Sequence, residues 1–422
     1  MKNTKKRKTA NRKEAVKPTK AQRIQRFMLA AFVFIFFAGI AIPLILLDKK
    51  TSLSMLERRM LASVPSKVFI GGKLDSKRLE TLPREIDAYI TDRFAGRSRL
   101  ISFMNKVNFF VLHKSHDKKI LVGKDKWLFY IDNSLGDEFA NFKKTNIFNE
   151  AQVQTFLKSI TLINRVCEQN NIKFIFLIVP TTSSVYPEKY PFPRPEGMAL
   201  VDQLLAAMPP EIREKTIFPL EYLVSKRSKH TQPLYYNNGL HWNKLGVYYT
   251  YELLYKKLKA DFPNLPEISF KFTPYIDPGE DNYTMLWWGM KQFGDFLELM
   301  DVEPVDGWLN HYSYVKLESV QENEFNTVTG NASKKGKYGI VTANRDRTLP
   351  RALVMRDSYF VDLEPFTSSL FSSAEYVWTQ PEKRTIRYIE QMPRKPDVFI
   401  WEIAERGLEV LGTVEPGFFP YD

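Results

Sequence analysis

The longest uninterrupted apolar stretch in the chain runs from Phe27 to Leu47, FMLAAFVFIFFAGIAIPLILL, twenty-one residues without one charge. As a helix it spans about 31 Å, the thickness of a bilayer core. Pro43 falls in its last third, where a membrane helix tolerates proline. Core helices are seldom apolar all round over this length. A cleaved signal peptide has a shorter apolar run of ~7–15 residues and a small-residue cleavage site. This run instead ends in Leu46-Leu47-Asp48-Lys49-Lys50. The pattern predicts an uncleaved transmembrane signal anchor over 27–47.

Beyond it the pattern changes twice. Residues 48–115 are polar with apolar positions at helical spacing, as in Glu85 to Ile90 and Leu100 to Met104, and predict a helical approach segment. From 116 onward, short apolar runs read as buried strands: Lys119–Val122, Trp127–Tyr130, Lys173–Val179, Ala352–Met355, Glu375–Trp378 and Val398–Trp401. Helical stretches lie between several of them, at Ala151–Gln169, Leu245–Leu258 and Thr385–Met392. Buried strands alternating with helices predict an α/β domain over 116–422, a mainly parallel sheet with helices on both faces. Residues 260–350 read as an irregular, aromatic-rich insertion.

Charge sharpens this division. The 422 residues carry 61 Lys/Arg and 48 Asp/Glu, a formal net charge of +13. Residues 1–26 hold eleven of the basic residues and only one acid, Glu14, so the rest of the chain is close to balanced. A nucleic-acid-binding domain carries its positive field on the folded body. Here the field sits on the tail, which excludes nucleic acid as the expected partner. The positive-inside rule places that tail, 1–26, in the cytoplasm and the remainder outside the membrane. The single cysteine, Cys167, excludes an intramolecular disulfide and a multi-cysteine zinc site. The five histidines leave little material for a metal cage, and no metal or bound cofactor is implied.

Three places can carry chemistry, all at the ends of predicted elements, where open α/β sheets build their sites. In Arg351 to Tyr359 (RALVMRDSY) a buried strand ends in Asp357-Ser358. Ser358 can present its hydroxyl at the sheet edge, with turn N–H groups facing a developing oxyanion. Taken alone, a serine there is more often a helix cap. In Tyr235 to Gly246 (YYNNGLHWNKLG) a turn delivers His241 just before a helix, and a serine nucleophile needs such a base. Asn238 can reach back across the turn to fix the imidazole tautomer. His113, His116, His230 and His311 have no comparable setting. In Pro396 to Arg406 a strand runs into Glu405-Arg406. That pair reads as a solvated helix start, while Arg406 can also bind an anionic sugar or steady an oxyanion.

The order of these blocks resembles the membrane-anchored SGNH-like O-acetyltransferases of bacterial polysaccharide export, the alginate O-acetyltransferase and DHHW-type group. The resemblance runs loosely from 51 to 411. It is carried by Leu56 to Ala62 (LERRMLA), Ile90 to Arg97 (ITDRFAGR), Val122 to Tyr130 (VGKDKWLFY), Ile178-Val179-Pro180 with Val185-Tyr186-Pro187, the His241-Trp242 block, Arg356 to Tyr359 and the Pro396-Asp397 strand. As in that group, the histidine block precedes the serine block. One position departs: the family's usual Asp two residues before the histidine is here Gly239. Asn238 keeps the three-residue spacing of ordinary SGNH enzymes with an amide in place of a carboxylate.

The resemblance implies an SGNH-hydrolase-like fold and an extracytoplasmic O-acetyltransferase acting on a cell-envelope or exported polysaccharide through a seryl ester. Ser358 would be the nucleophile and His241 its base. The Ser358 N–H, helped by Arg356, would hold the oxyanion. A multi-span membrane acyltransferase would be the acyl donor. Trp287, Trp288, Tyr283, Trp308, Tyr312 and Tyr314 suit sugar stacking, and Asp281 is an alternative third member of the triad. Two other functions stay open: a catalytically inactive glycan-binding or scaffold subunit, motivated by Gly239, and a glycan O-deacetylase or esterase, in which water replaces the sugar hydroxyl.

Overall fold

The structure, a computed structural model, describes residues 19–412 except 51–52, 55–58, 71–72, 116, 126, 133–136, 231, 269, 277–312, 320–324, 330–338 and 379–381. The chain divides into two compact units, Met1–Met104 and Asn105–Asp422.

In the first unit the apolar run forms helix α1, Lys20–Ile45. Thr19 caps it reciprocally with Gln22, and its large apolar side chains are exposed on all sides. The stretch Lys20–Gly39 is long and apolar enough to cross a membrane. Helix α2, Ser76–Arg93, is capped by Asp75, and α3, Arg97–Phe110, follows it. Two short hairpins, Leu53–Ser54 with Arg59–Met60 and Phe69–Ile70 with Lys73–Leu74, precede them. The end of α2 organises this unit. Asp92 accepts the Ala62 N–H at 2.7 Å, and Arg93 donates to the carbonyls of Ala62 and Asp48 at 2.8 and 3.0 Å. That clasp holds the chain just beyond the apolar run.

The second unit is built on one sheet. Its strands are β1 (Lys173–Val179), β2 (Thr216–Ile217), β3 (Phe325–Thr329), β4 (Gly339–Asn344), β5 (Arg351–Arg356), β6 (Ser373–Trp378) and β7 (Val398–Ala404). They lie in the order β3-β4-β6-β5-β7-β1-β2. The five strands from β6 to β2 are parallel, and β4 and β3 complete one edge antiparallel. Both faces are covered, so β7 is buried at every position. Alternation splits its strands between two cores. Leu177, Val354 and Ile400 face helix α5, Lys244–Asp261, through Leu254 and Leu258. Phe176, Met355 and Trp401 face helix α4, Glu150–Gln169, through Phe156 and Ile160, together with Ile389 of helix α6, Glu382–Gln391.

Two expectations change. The runs at 119–122 and 127–130 are not strands of the main sheet. Ile120–Val122 and Leu128–Tyr130 pair with each other as a separate antiparallel hairpin. Nor is 260–350 irregular throughout. Phe270–Ile276 pairs with Ser313–Ser319, and β3 and β4 belong to the main sheet. None of these strands carries a long apolar run in the sequence to announce it. Asp281, Tyr283, Trp287, Trp288, Trp308 and Tyr312 lie outside the described residues, as do His116, His311 and residues 1–18.

Candidate active site

β5 and β7 end side by side, and the turn after β5 carries Ser358. Asp357, not Ser358, caps the short 3-10 helix Ser358–Asp362: its side chain accepts the Tyr359 N–H at 2.8 Å. Its other oxygen accepts the Ala404 N–H at 2.8 Å, which ties the end of β5 to the end of β7. Ser358 is thereby freed from capping, half-buried, and opens the helical turn, whose first N–H has no intrahelical partner.

His241 arrives on the opposite loop. Tyr235 and Trp242 form an isolated antiparallel bridge, and the Tyr236 N–H donates to the His241 carbonyl at 3.2 Å, closing the turn that presents the ring. Asn243 then caps α5, accepting from the Leu245 and Gly246 N–H groups at 2.9 and 3.4 Å. Gly246 has no room for a side chain: a Cβ there would lie 2.5 Å from the Leu234 carbonyl oxygen and 2.9 Å from the Trp242 Cβ.

The two turns are locked together. Trp242 donates its indole N–H to the Tyr359 carbonyl at 3.0 Å, and the Tyr359 hydroxyl donates to the Leu240 carbonyl. Lys244 pairs with Asp362 at 2.6 Å, and the His241 ring lies 4.8 Å from that of Tyr359. Within this frame His241 Nε2 is 2.8 Å from Ser358 Oγ, two side chains 117 positions apart. That is hydrogen-bond reach for a nucleophile and its base. Asn238 is buried on the same turn as His241.

The remaining candidates are buried. Arg356 is buried, pairs with Glu364 at 2.7 Å and lies over the Trp378 ring. Burial pushes Glu364 up to about 7 against the pull of Arg356. Glu405 and Arg406 are not a solvated helix start. Both are buried, because the chain after β7 folds back over the sheet edge as Glu405–Gly412 instead of running into solvent. Glu405 accepts from the Thr181 N–H at 3.0 Å and the Ser184 hydroxyl at 2.9 Å, bracing the turn after β1. Arg406, 7% exposed, lies 5.5 Å from the Tyr359 ring, and its Nη1 has no hydrogen-bond partner. It faces Glu138, whose Oε1 accepts the Ser183 N–H at 3.0 Å. His230 is bonded to the Tyr249 hydroxyl, a structural setting.

Glu138, Glu402 and the capping role of Asp357 escaped the sequence reading. The signal for Glu402 was present: an acid in phase with Ile400 and Ala404 inside a buried strand. Glu138 gave none, since it lies in a polar stretch. Among the described residues no group of three or more His, Cys, Asp or Glu could hold a metal ion.

No curated protein matches the chain. Among solved structures it is similar to Bacillus cereus PatB1 (15% identity, 68% of this chain and 96% of that one, TM-score 0.46). It is also similar to the O-acetyltransferase domain of Pseudomonas putida AlgJ (16% identity, 70% and 95%, TM-score 0.41). A third is a DHHW family protein from Eubacterium siraeum (9% identity, 70% and 94%, TM-score 0.43). The family model of the SGNH hydrolase-like domain of the acetyltransferase AlgX matches residues 120–331, half of the chain, a stretch that holds His241 and stops short of Ser358. The chain therefore belongs to the AlgX-type family of SGNH hydrolase-like acetyltransferase domains.

Proposed function

We propose that the protein is an extracytoplasmic O-acetyltransferase that esterifies hydroxyls of a cell-envelope or exported polysaccharide. The observation that carries this reading is the 2.8 Å approach of His241 Nε2 to Ser358 Oγ. Family membership supplies the acyl chemistry, and helix α1 supplies the means to anchor the body outside the membrane.

In the first half-reaction the Ser358 hydroxyl gives its proton to His241 as Oγ bonds to the acyl carbon. The tetrahedral oxyanion forms against the Ser358 N–H. The donor's leaving oxygen or sulfur departs with the proton from His241. In the second half-reaction His241 takes the proton of a sugar hydroxyl, whose oxygen attacks the seryl ester. Ser358 Oγ then leaves and recovers that proton, which is ping-pong chemistry. Asn238 would orient the imidazole as an amide can, without charge. Arg356, held by Glu364, would steady the turn, and Arg406 would meet oxygen-rich substrate. The acyl donor would be a multi-span membrane acyltransferase passing acetyl groups across the bilayer. Residues 1–26 would lie in the cytoplasm, 27–47 in the membrane and 116–422 would form the catalytic domain.

Purified full-length protein in detergent, incubated with an activated acetyl ester, should gain one acetyl group on Ser358 by mass spectrometry, and Ser358→Ala should gain none. A folded wild-type protein that forms no such adduct sinks the proposal. A second reading, a silent glycan-binding subunit, is favoured by Gly239 at the place of the family's usual Asp. It requires glycan affinity without any adduct. An esterase would form the adduct and lose it to water equally fast with and without acceptor sugar.

A further inference from the structure

We propose that Glu402 acts as a neutral carboxylic acid that positions the Ser358 turn, a role that rests on the acyl-transfer reading of that serine. Glu402 is fully buried, 0% exposed, at the centre of β7, on the sheet face shared with Ile400 and Ala404. Its Oε2 accepts the Asp357 N–H at 2.8 Å. Asp357 in turn accepts the Tyr359 and Ala404 N–H groups with its two oxygens. Glu402 therefore holds the backbone of the residue before the nucleophile, and Asp357 holds the backbone of the residue after it.

The surroundings decide the protonation state. An ionised carboxylate in this dry strand would stand against Asp357, a second acid. Burial, then the charge of Asp357, push Glu402 well above the usual carboxylate range. Against this stand the hydrogen bond from the Asp357 N–H and then the charge of Arg356, which is already engaged by Glu364. On β1 the paired residue is the apolar Leu177. With Oε2 accepting an N–H, the proton belongs on Oε1, and the Asp357 side chain nearby favours that protonated form. Glu402 meets no substrate. It is a positioning residue that keeps Ser358 Oγ on His241.

Glutamine is neutral like the protonated acid, and its oxygen can accept the Asp357 N–H. The test compares wild type, Glu402→Gln and Glu402→Ala as full-length protein. The first readout is the infrared carbonyl stretch of protonated carboxylic acid at pH 7, which requires no activity. A band present in wild type and missing from Glu402→Gln is expected, and identical spectra overturn the proposal. The second is the rate of Ser358 acetylation by an activated ester from pH 6 to pH 10. Glu402→Gln should stay within threefold of wild type across this range, while Glu402→Ala should be at least tenfold slower throughout. A Glu402→Gln rate as low as that of Glu402→Ala overturns it. Should Glu402→Ala not fold, the infrared band and the Glu402→Gln rate decide alone. Should wild type form no adduct, the acyl-transfer reading fails while the infrared readout still judges the neutral acid.

Discussion

Trp242 donates its indole N–H to the Tyr359 carbonyl at 3.0 Å, joining the residue after the histidine to the residue after the serine. Both are fully buried, so water cannot replace this bond. Trp242→Phe keeps most of the apolar bulk and removes the donor. Leaving a buried carbonyl unmet costs about 1–3 kcal/mol. Because the bond sets the spacing of the two turns, the chemical step should slow on the order of tenfold or more, with KM little changed. Thermal unfolding and steady-state kinetics check this. A destabilised variant with unchanged kcat would show that the bond only supports the fold.

Lys244 and Asp362 tie the same two turns from the outside, at 2.6 Å and partly exposed. Such pairs contribute little, about 0.2–1 kcal/mol. A double-mutant cycle with Lys244→Met and Asp362→Asn should return a coupling in that range that shrinks as salt rises. A coupling above about 2 kcal/mol, insensitive to salt, would contradict the assignment as a solvent-screened clamp.

Gly246 lets the first turn of α5 close against the chain before His241. A methyl there meets the Leu234 carbonyl, a backbone atom that cannot swing away. Gly246→Ala should therefore destabilise by about 1–3 kcal/mol even though alanine favours helix. Equilibrium unfolding measures it. A stabilised variant would mean that the Leu234 segment yields.

The sequence made the central strands legible because burial on both faces writes continuous apolar runs, as in Phe174–Val179 and Val398–Trp401. It also brought Ser358 and His241 forward, since each follows a turn signal at the end of an element. It misled where an apolar run had another use. Leu128–Tyr130 is as buried as any strand of the sheet, yet it packs in its own hairpin, with Leu128 bonded to the Asn237 carbonyl beneath the histidine turn. Glu405 and Arg406 were illegible for the opposite reason. Adjacent charges read as solvated unless the tertiary fold supplies partners, here the Thr181 and Ser184 donors 224 and 221 residues away.

Glu138 makes folding sensitive to pH in a definite direction. It is buried, accepts the Ser183 N–H, and burial raises its carboxyl to about 7 against the attraction of Arg406. In the unfolded chain the same group titrates at its ordinary 4.5. Between these values the folded state binds a proton that the unfolded state has released. Stability therefore falls as pH rises from about 4.5 to about 7, and this contribution is flat above. Glu138→Gln can accept the same N–H and does not titrate. Its stability relative to wild type should thus grow between pH 5 and pH 8, by on the order of 3 kcal/mol. Denaturant unfolding of both proteins at the two pH values measures the difference. A stability gap independent of pH would mean that Arg406 holds Glu138 ionised throughout, as a buried ion pair rather than a buried acid.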